Sequence, residues 1–163
     1  MLKGFSNRAL FAVIGLCAAG LLAAAGYLQH GPLAEQPCPL CIMQRYLYIF
    51  ITAVAFAGAI HGPASRGARV YGALIALIAA GGIGIATWQI TKGSTMLTCI
   101  EDPIGVFIND LPMATWWPNY FLATAGCADA NPPILGISVP VWSVIWFIAF
   151  FVAAVWALIA RKR

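Results

Sequence analysis

Two closely spaced cysteines are the residues of this chain with the clearest capacity for chemistry. Cys38 and Cys41 form a Cys-x-x-Cys motif, a spacing that serves both thiol redox chemistry and zinc binding. Pro37 and Pro39 favour an extended chain just before the motif's second cysteine, and Cys41 begins a long apolar stretch. The N–H donors and partial positive charge of a helix N-terminus favour the reactive thiolate form of a cysteine there. The motif therefore predicts a redox-active pair at the start of a helix.

Two polar residues follow the motif at helical spacing. Arg45 lies four positions after Cys41, so both side chains share one face of a helix, and its guanidinium keeps its proton. Because a charged side chain inside a membrane segment is costly, Arg45 is a candidate for a role beside the thiolate. The alternative is that Arg45 reaches the lipid headgroups. Gln44 is a candidate hydrogen-bond donor to a bound carbonyl, or else a helix-end residue that faces water.

The other three cysteines are a widely separated pair and a single residue. Cys99 and Cys127 lie 28 positions apart, and a disulfide between them would be either a structural staple or a partner in exchange with the motif. Four cysteines can also bind zinc, but structural zinc sites usually have two short Cys-x-x-Cys spacings, so no metal is expected. Cys17 lies in the middle of an apolar stretch and is predicted to be a packing residue.

Four apolar stretches must position these side chains. The chain has 163 residues, of which 62% are apolar and 9% are charged, against about 25% charged in soluble domains. This composition excludes a soluble enzyme and a nucleic-acid-binding protein. Each stretch is long enough to cross a bilayer as a helix, at about residues 9–28, 42–60, 70–90 and 141–160. We predict an all-α fold, a single membrane domain that forms a four-helix transmembrane bundle with loops at about 29–41 and 91–140.

The charged residues predict the orientation of the four spans. One side of the membrane has most of the basic side chains, namely Lys3, Arg8, Arg66, Arg69, Arg161, Lys162 and Arg163. Cytoplasmic loops carry the excess of Lys and Arg, so both termini are expected in the cytoplasm. The loops with four cysteines are then external, where disulfides persist. Ala23 to Ala25 resemble a signal-peptide cleavage site, but the apolar run continues to Leu28, which favours an uncleaved first span.

A dithiol that is oxidised at the membrane must pass two electrons to an acceptor. The sequence has no nucleotide-binding fingerprint, no haem-attachment motif and no iron–sulfur spacing. A quinone is apolar and accepts two electrons, so it is the expected acceptor beside the Cys-x-x-Cys motif.

The chain resembles the disulfide bond formation protein B (DsbB) family of bacterial inner-membrane oxidoreductases over nearly its whole length. The resemblance rests on the Cys-x-x-Cys motif with Gln44 and Arg45, on the Cys99/Cys127 pair, and on three short stretches, Trp117-Pro118, Leu135-Gly136 and Pro140-Val141-Trp142-Ser143. It implies an enzyme that re-oxidises a periplasmic DsbA-like thioredoxin-fold protein and reduces ubiquinone or menaquinone. Such an enzyme supports disulfide bond formation in exported proteins.

The resemblance also implies a route for the electrons through four catalytic cysteines. The reduced partner would attack a Cys99–Cys127 disulfide and form a mixed disulfide with Cys99. Cys127 would then exchange with Cys38. Cys41 would be released as the thiolate that contacts the quinone, near Arg45.

The outer end of the third span departs from the family pattern. Some members have a histidine there that is linked to the quinone site, whereas residues 86–91 of this chain contain none. Trp88 and Gln89 are the candidates to line the quinone site in this segment, and the proton donor to the quinone stays unassigned. Gly81, Gly82 and Gly84 of the same span are predicted to permit close helix packing.

Two other functions fit parts of the pattern. An enzyme of the vitamin-K-epoxide-reductase type uses similar chemistry, but its Cys-x-x-Cys lies at the last span and not at the start of the second. A small tetraspan scaffold or transporter with purely structural disulfides needs no charged residue beside the motif, and Arg45 argues against it.

Overall fold

Four long helices form the body of the protein. The computed structural model describes residues 6–30, 36–62, 65–92, 102–126 and 133–159. Within these residues the long helices are α1 (Asn7–His30), α2 (Pro39–His61), α3 (Ser65–Lys92) and α7 (Val139–Ile159). Each is long and apolar enough to cross a membrane, and each coincides with a predicted span to within a few residues. The predicted all-α, four-helix membrane fold is confirmed.

The start of α2 is determined by the residues of the Cys-x-x-Cys motif. Cys38 has extended backbone and caps the helix, since its sulfur accepts a hydrogen bond from the Cys41 backbone N–H at 3.2 Å. Pro39 occupies the first helical position, where the N–H that proline lacks would have no partner in the helix. Gly62 ends the helix with a φ of 53°, in the left-handed region that glycine adopts without strain.

Helices α3 and α7 pack closely because a glycine faces a large aromatic ring. A Cβ atom added to Gly82 would lie 2.5 Å from the ring of Phe147, and that ring stacks on Tyr48 of α2 with centroids 4.4 Å apart. Gly81 and Gly84 have open space around them. Of the three glycines expected to permit close packing, only Gly82 does so, because each residue of a helix turns its direction by about 100°.

Three short helices and a hairpin lie between α3 and α7. The helices are α4 (Pro103–Asn109), α5 (Pro112–Trp116) and α6 (Pro118–Phe121), and the hairpin is formed by β1 (Pro133–Ile134) and β2 (Ile137–Ser138). Leu135 and Gly136 make its turn with positive φ values. The indole N–H of Trp142 donates to the Ile134 carbonyl at 3.1 Å, which holds the hairpin on the start of α7. The predicted long loop between the third and fourth spans is confirmed.

Four helix termini converge at one end of the bundle, which we name the cysteine end. Residues from the end of α1, the start of α2, the end of α3 and the start of α7 line one common cavity there, as Leu28, Cys41, Gln89 and Trp142 show. The cysteine end therefore collects side chains that are far apart in the sequence.

Candidate functional site

The two cysteines of the motif lie side by side at the cysteine end. Their sulfur atoms are 2.7 Å apart. Cys38 is completely buried and packs with Leu40, Ile85 and Ala125, whereas Cys41 is only partly buried. The pKa of the Cys38 thiol is raised well above its usual range by its hydrogen bond to the Cys41 sulfur and by burial. In the reduced pair, Cys41 is therefore the sulfur that can carry the negative charge.

Gln89 of α3 contacts both sulfur atoms. Its Nε2 donates to the Cys41 sulfur at 3.3 Å and to the Cys38 sulfur at 3.4 Å. Its Oε1 accepts a hydrogen bond from Gln44 Nε2 at 2.6 Å. Gln89 is 1% exposed and Gln44 is 4% exposed. The two side-chain amides thus form a buried hydrogen-bonded pair against the cysteines.

Arg45 joins three helices beside the cysteine pair. Its Nη1 donates to Gln29 Oε1 at 2.7 Å and to the Tyr120 backbone carbonyl. Its Cζ lies 4.6 Å from the centroid of the Tyr120 ring, a cation–π contact. The Tyr120 hydroxyl donates to the Leu22 carbonyl, and Gln29 Nε2 donates to the Asn119 carbonyl at 2.7 Å. Arg45 is 8% exposed, so it lies inside the protein and does not extend to the headgroups.

A cavity of about 230 Å³ lies between α1, α2, α7 and the hairpin. Cys41 forms part of its wall. Most of the wall is apolar or aromatic, and includes Leu21, Leu28, Tyr48, Ile134, Trp142 and Trp146. The polar side chains in the wall are Gln29, Gln36, Gln44, Arg45, Gln89 and Ser143. An apolar cavity with a few polar groups beside a reactive sulfur is suited to a small planar ligand that carries hydrogen-bond acceptors.

Not all of the predicted site residues reach this cavity. Trp88 is 51% exposed and is not part of the wall, because one residue along a helix turns the side chain by about 100° from Gln89. Of the two candidates in this segment, only Gln89 reaches the site. Cys99 and Cys127 lie outside the residues that the structure describes.

Sequence reasoning missed Gln29 and Tyr120, which hold Arg45. Gln29 has a signal in the sequence, since it is a polar side chain near the end of an otherwise apolar span. Tyr120 has no comparable signal, because its backbone carbonyl and the face of its ring make the contacts.

Comparison with known proteins identifies the family. The sequence model of the family described as "Disulfide bond formation protein DsbB" matches residues 7–157. The chain is similar to "Disulfide bond formation protein B" of Aromatoleum aromaticum, with 37% identity over 98% of this chain and 96% of the relative. The protein of the same name from Nitrosomonas europaea is 38% identical over 96% of this chain and 94% of the relative.

A third relative gives the same result. "Disulfide bond formation protein B" of Burkholderia thailandensis is 40% identical over 96% of this chain and 92% of the relative. These matches extend over nearly the full length of both partners. The chain therefore belongs to the disulfide bond formation protein B family, and it is a multi-pass membrane oxidoreductase that takes part in disulfide bond formation.

Proposed function

We propose that this protein re-oxidises a periplasmic DsbA-like thioredoxin-fold protein and passes the electrons to membrane quinone. The observation that carries this proposal is the position of Cys41 in the wall of the apolar cavity, together with Gln44 and Arg45. The proposed location is the bacterial inner membrane. The basic residues support an orientation with both termini in the cytoplasm and the cysteine end in the periplasm.

The cavity suits the ring of ubiquinone or menaquinone. Trp142, Trp146 and Tyr48 offer aromatic surface, and the apolar side chains of α1 offer a surface for the start of the isoprenoid tail. Gln44 donates one amide N–H to Gln89. A primary amide has a second N–H, which is available to a quinone carbonyl. A bound quinone supplies the acceptor for two electrons and two protons, and leaves as quinol.

The surroundings of the two sulfurs support an order for the exchange steps. Cys41 borders the cavity, whereas Cys38 is buried where the chain returns from α6. The backbone N–H groups of residues 124–125 donate to the Pro37 carbonyl at 3.0 and 3.3 Å, which holds this returning segment beside the motif. Cys127 follows this segment in the sequence, and Cys38 is its proposed exchange partner, as the resemblance to the family implies.

The proposed steps balance in electrons and protons. The partner's dithiol becomes a disulfide and loses two electrons and two protons. In each exchange step a thiolate attacks a disulfide, one S–S bond forms as another breaks, and the two electrons move to the sulfur that leaves. The partner's first thiolate attacks Cys99 and Cys127 leaves, and Cys127 then attacks Cys38 and Cys41 leaves. The partner's second thiolate releases Cys99, and Cys99 attacks Cys127, so that the Cys99–Cys127 disulfide re-forms and Cys38 leaves. The Cys38–Cys41 disulfide re-forms when two electrons pass to the acceptor. Cys41 is the sulfur from which the electrons leave the protein.

Quinone reduction by the purified protein tests this proposal. The assay supplies a reduced DsbA-like protein and a soluble ubiquinone analogue to the protein in detergent, and follows the quinone absorbance. We expect catalytic loss of quinone that Cys41→Ser abolishes. Cys17→Ala is the matched control. It is expected to keep turnover, because Cys17 packs in the core of the bundle and does not line the cavity. Turnover that persists in Cys41→Ser would contradict the proposal. So would a folded wild-type protein that reduces neither ubiquinone nor menaquinone analogues.

A further inference from the structure

We infer that Gln89 is the hydrogen-bond donor that stabilises the thiolate of the Cys38–Cys41 pair, and that it thereby determines how readily this pair is reduced. The inference deepens the proposed function and rests on it for the direction of electron flow. It assigns to a side chain of α3 a part in the redox chemistry of two residues at the start of α2.

The geometry of the Gln89 amide suits this role. Its Nε2 lies almost equally far from the two sulfurs, at 3.3 Å from Cys41 and 3.4 Å from Cys38. The two sulfurs are only 2.7 Å apart, so they lie in nearly the same direction from Nε2 and one N–H of the amide is shared between them. This donor therefore faces Cys41, the sulfur that carries the charge in the reduced pair.

Gln44 fixes which end of the Gln89 amide faces the cysteines. Gln44 Nε2 donates to Gln89 Oε1 at 2.6 Å. A donor on the oxygen requires that the nitrogen of the same amide point the other way, towards the sulfurs. Both glutamines are almost completely buried, and a hydrogen bond to a charged atom is stronger where water is excluded.

Arg45 lies four residues after Cys41, but its guanidinium donates to other partners. Its Nη1 donates to Gln29 and to the Tyr120 carbonyl. Within the described residues, no hydrogen bond joins Arg45 to either sulfur, and Gln89 is the side chain outside the motif that donates to them. The charge of Arg45 acts at a distance, whereas the amide of Gln89 acts in contact.

A donor in this position favours the reduced pair over the disulfide. A thiolate is a much stronger hydrogen-bond acceptor than the sulfur of a disulfide, so the contact with Gln89 stabilises the reduced state more. Loss of a hydrogen bond to a charged group changes an equilibrium constant by about tenfold or more. Removal of the donor is therefore expected to make the pair harder to reduce and to favour the disulfide.

A thiol–disulfide equilibrium without quinone tests the inference. The full-length protein is made with Cys99→Ser and Cys127→Ser, so that the Cys38–Cys41 pair is titrated alone. It is equilibrated in detergent with dithiothreitol redox buffers at pH 8, and a maleimide mass tag counts the thiols. Gln89→Met keeps the length of the side chain without a donor. We expect its reduced-to-oxidised ratio to be about tenfold below that of the parent protein.

Two further variants sharpen this measurement. Gln89→Leu also removes the donor, so its ratio is expected to fall as far as that of Gln89→Met. Thr87→Val changes an exposed side chain on another face of α3 and is the control, with a ratio within twofold of the parent. A merely structural role for Gln89 would lower the melting temperature of both redox states without moving the equilibrium between them.

The outcomes separate this inference from the proposed function. A Gln89→Met ratio within twofold of the parent would overturn the inference. If Gln89→Met does not fold, Gln89→Leu decides, and a ratio within twofold of the parent would overturn the inference. The assay contains no quinone. A shifted ratio in Gln89→Met therefore supports the inference even if the wild-type protein fails to reduce quinone, a failure that counts only against the proposed function.

Discussion

At the scale of single residues, the two sulfurs of the motif differ because their surroundings differ. Cys38 is completely buried, and its sulfur caps the start of α2, whose first turn contains Cys41. Its hydrogen bond to the Cys41 sulfur, followed by burial, keeps the pKa of the Cys38 thiol above the usual range. Cys41 lies at the cavity instead. In the reduced pair, Cys38 is thus the sulfur that holds its proton and Cys41 is the sulfur that carries the charge.

This asymmetry predicts selective alkylation. Because the pKa of Cys38 is raised, its thiol is the harder of the two to ionise, and only the thiolate is a good nucleophile. In the fully reduced protein, iodoacetamide is expected to modify Cys41 at least about tenfold faster than Cys38. Peptide mapping by mass spectrometry measures both rates. Equal rates, or faster labelling of Cys38, would show that the two sulfurs are not differentiated in this way.

A second prediction at this scale concerns Arg45. Arg45→Met leaves the Gln29 side-chain oxygen and the Tyr120 carbonyl without their donor. Loss of hydrogen bonds to a buried charged group is expected to lower the free energy of unfolding by about 1–3 kcal/mol. Arg45→Lys keeps the charge, so its free energy of unfolding is expected to fall less than that of Arg45→Met. Some loss is still expected, because lysine lacks the planar guanidinium that lies over the Tyr120 ring. Thermal unfolding in detergent measures both, and an unchanged melting temperature in Arg45→Met would contradict this role.

At the scale of elements, the loop helix α6 packs closely against the last turns of α1 because a glycine lies at the contact. A Cβ atom on Gly26 would lie 2.6 Å from the Tyr120 ring, whereas one on Gly20 would meet nothing within 4 Å. Tyr120 in turn holds Arg45 through its ring and its carbonyl. The fit between α1 and α6 therefore connects the long loop to the cysteine end.

The two glycines provide a matched test of this fit. Gly26→Ala is expected to displace Tyr120, to loosen the segment 102–126, and to speed its cleavage in limited proteolysis several-fold. Overpacking of this kind costs about 1–3 kcal/mol. Gly20→Ala is expected to leave cleavage unchanged, since alanine fits a helix at least as well as glycine. Equal cleavage of the two variants would contradict the close fit of Tyr120 against α1.

The sequence predicts the individual elements of this fold but not the contacts between them. The four spans and the helix that starts at the motif are predictable, because apolar length and capping are local properties of the chain. The contacts between helices are not. Gln89 meets Cys41 across 48 positions, and Arg45 meets Tyr120 across 75. Gln89 is set apart from its neighbour Trp88 only by which face of α3 packs against α2.

At the scale of the whole molecule, the bundle brings four helix termini together around one cavity. The long loop, the hairpin and Arg45 hold these termini in place. The reacting sulfur borders the cavity, and the helices around it cross the membrane. This arrangement supports the exit of electrons from Cys41 into the lipid phase, which is the central claim of the proposed function.

Blocking the cavity tests that claim most directly. Ala25 of α1 lines the cavity, and Ala25→Phe would fill it without altering a cysteine or a polar residue. Ala53→Phe, at an exposed position of α2, is the control. Each protein is reduced in advance, freed of reductant and mixed with a quinone analogue, and the quinone absorbance is followed over one turnover. We predict that Ala25→Phe loses quinone reduction while Ala53→Phe reduces quinone at the wild-type rate. Quinone reduction at the wild-type rate by folded Ala25→Phe would contradict the account.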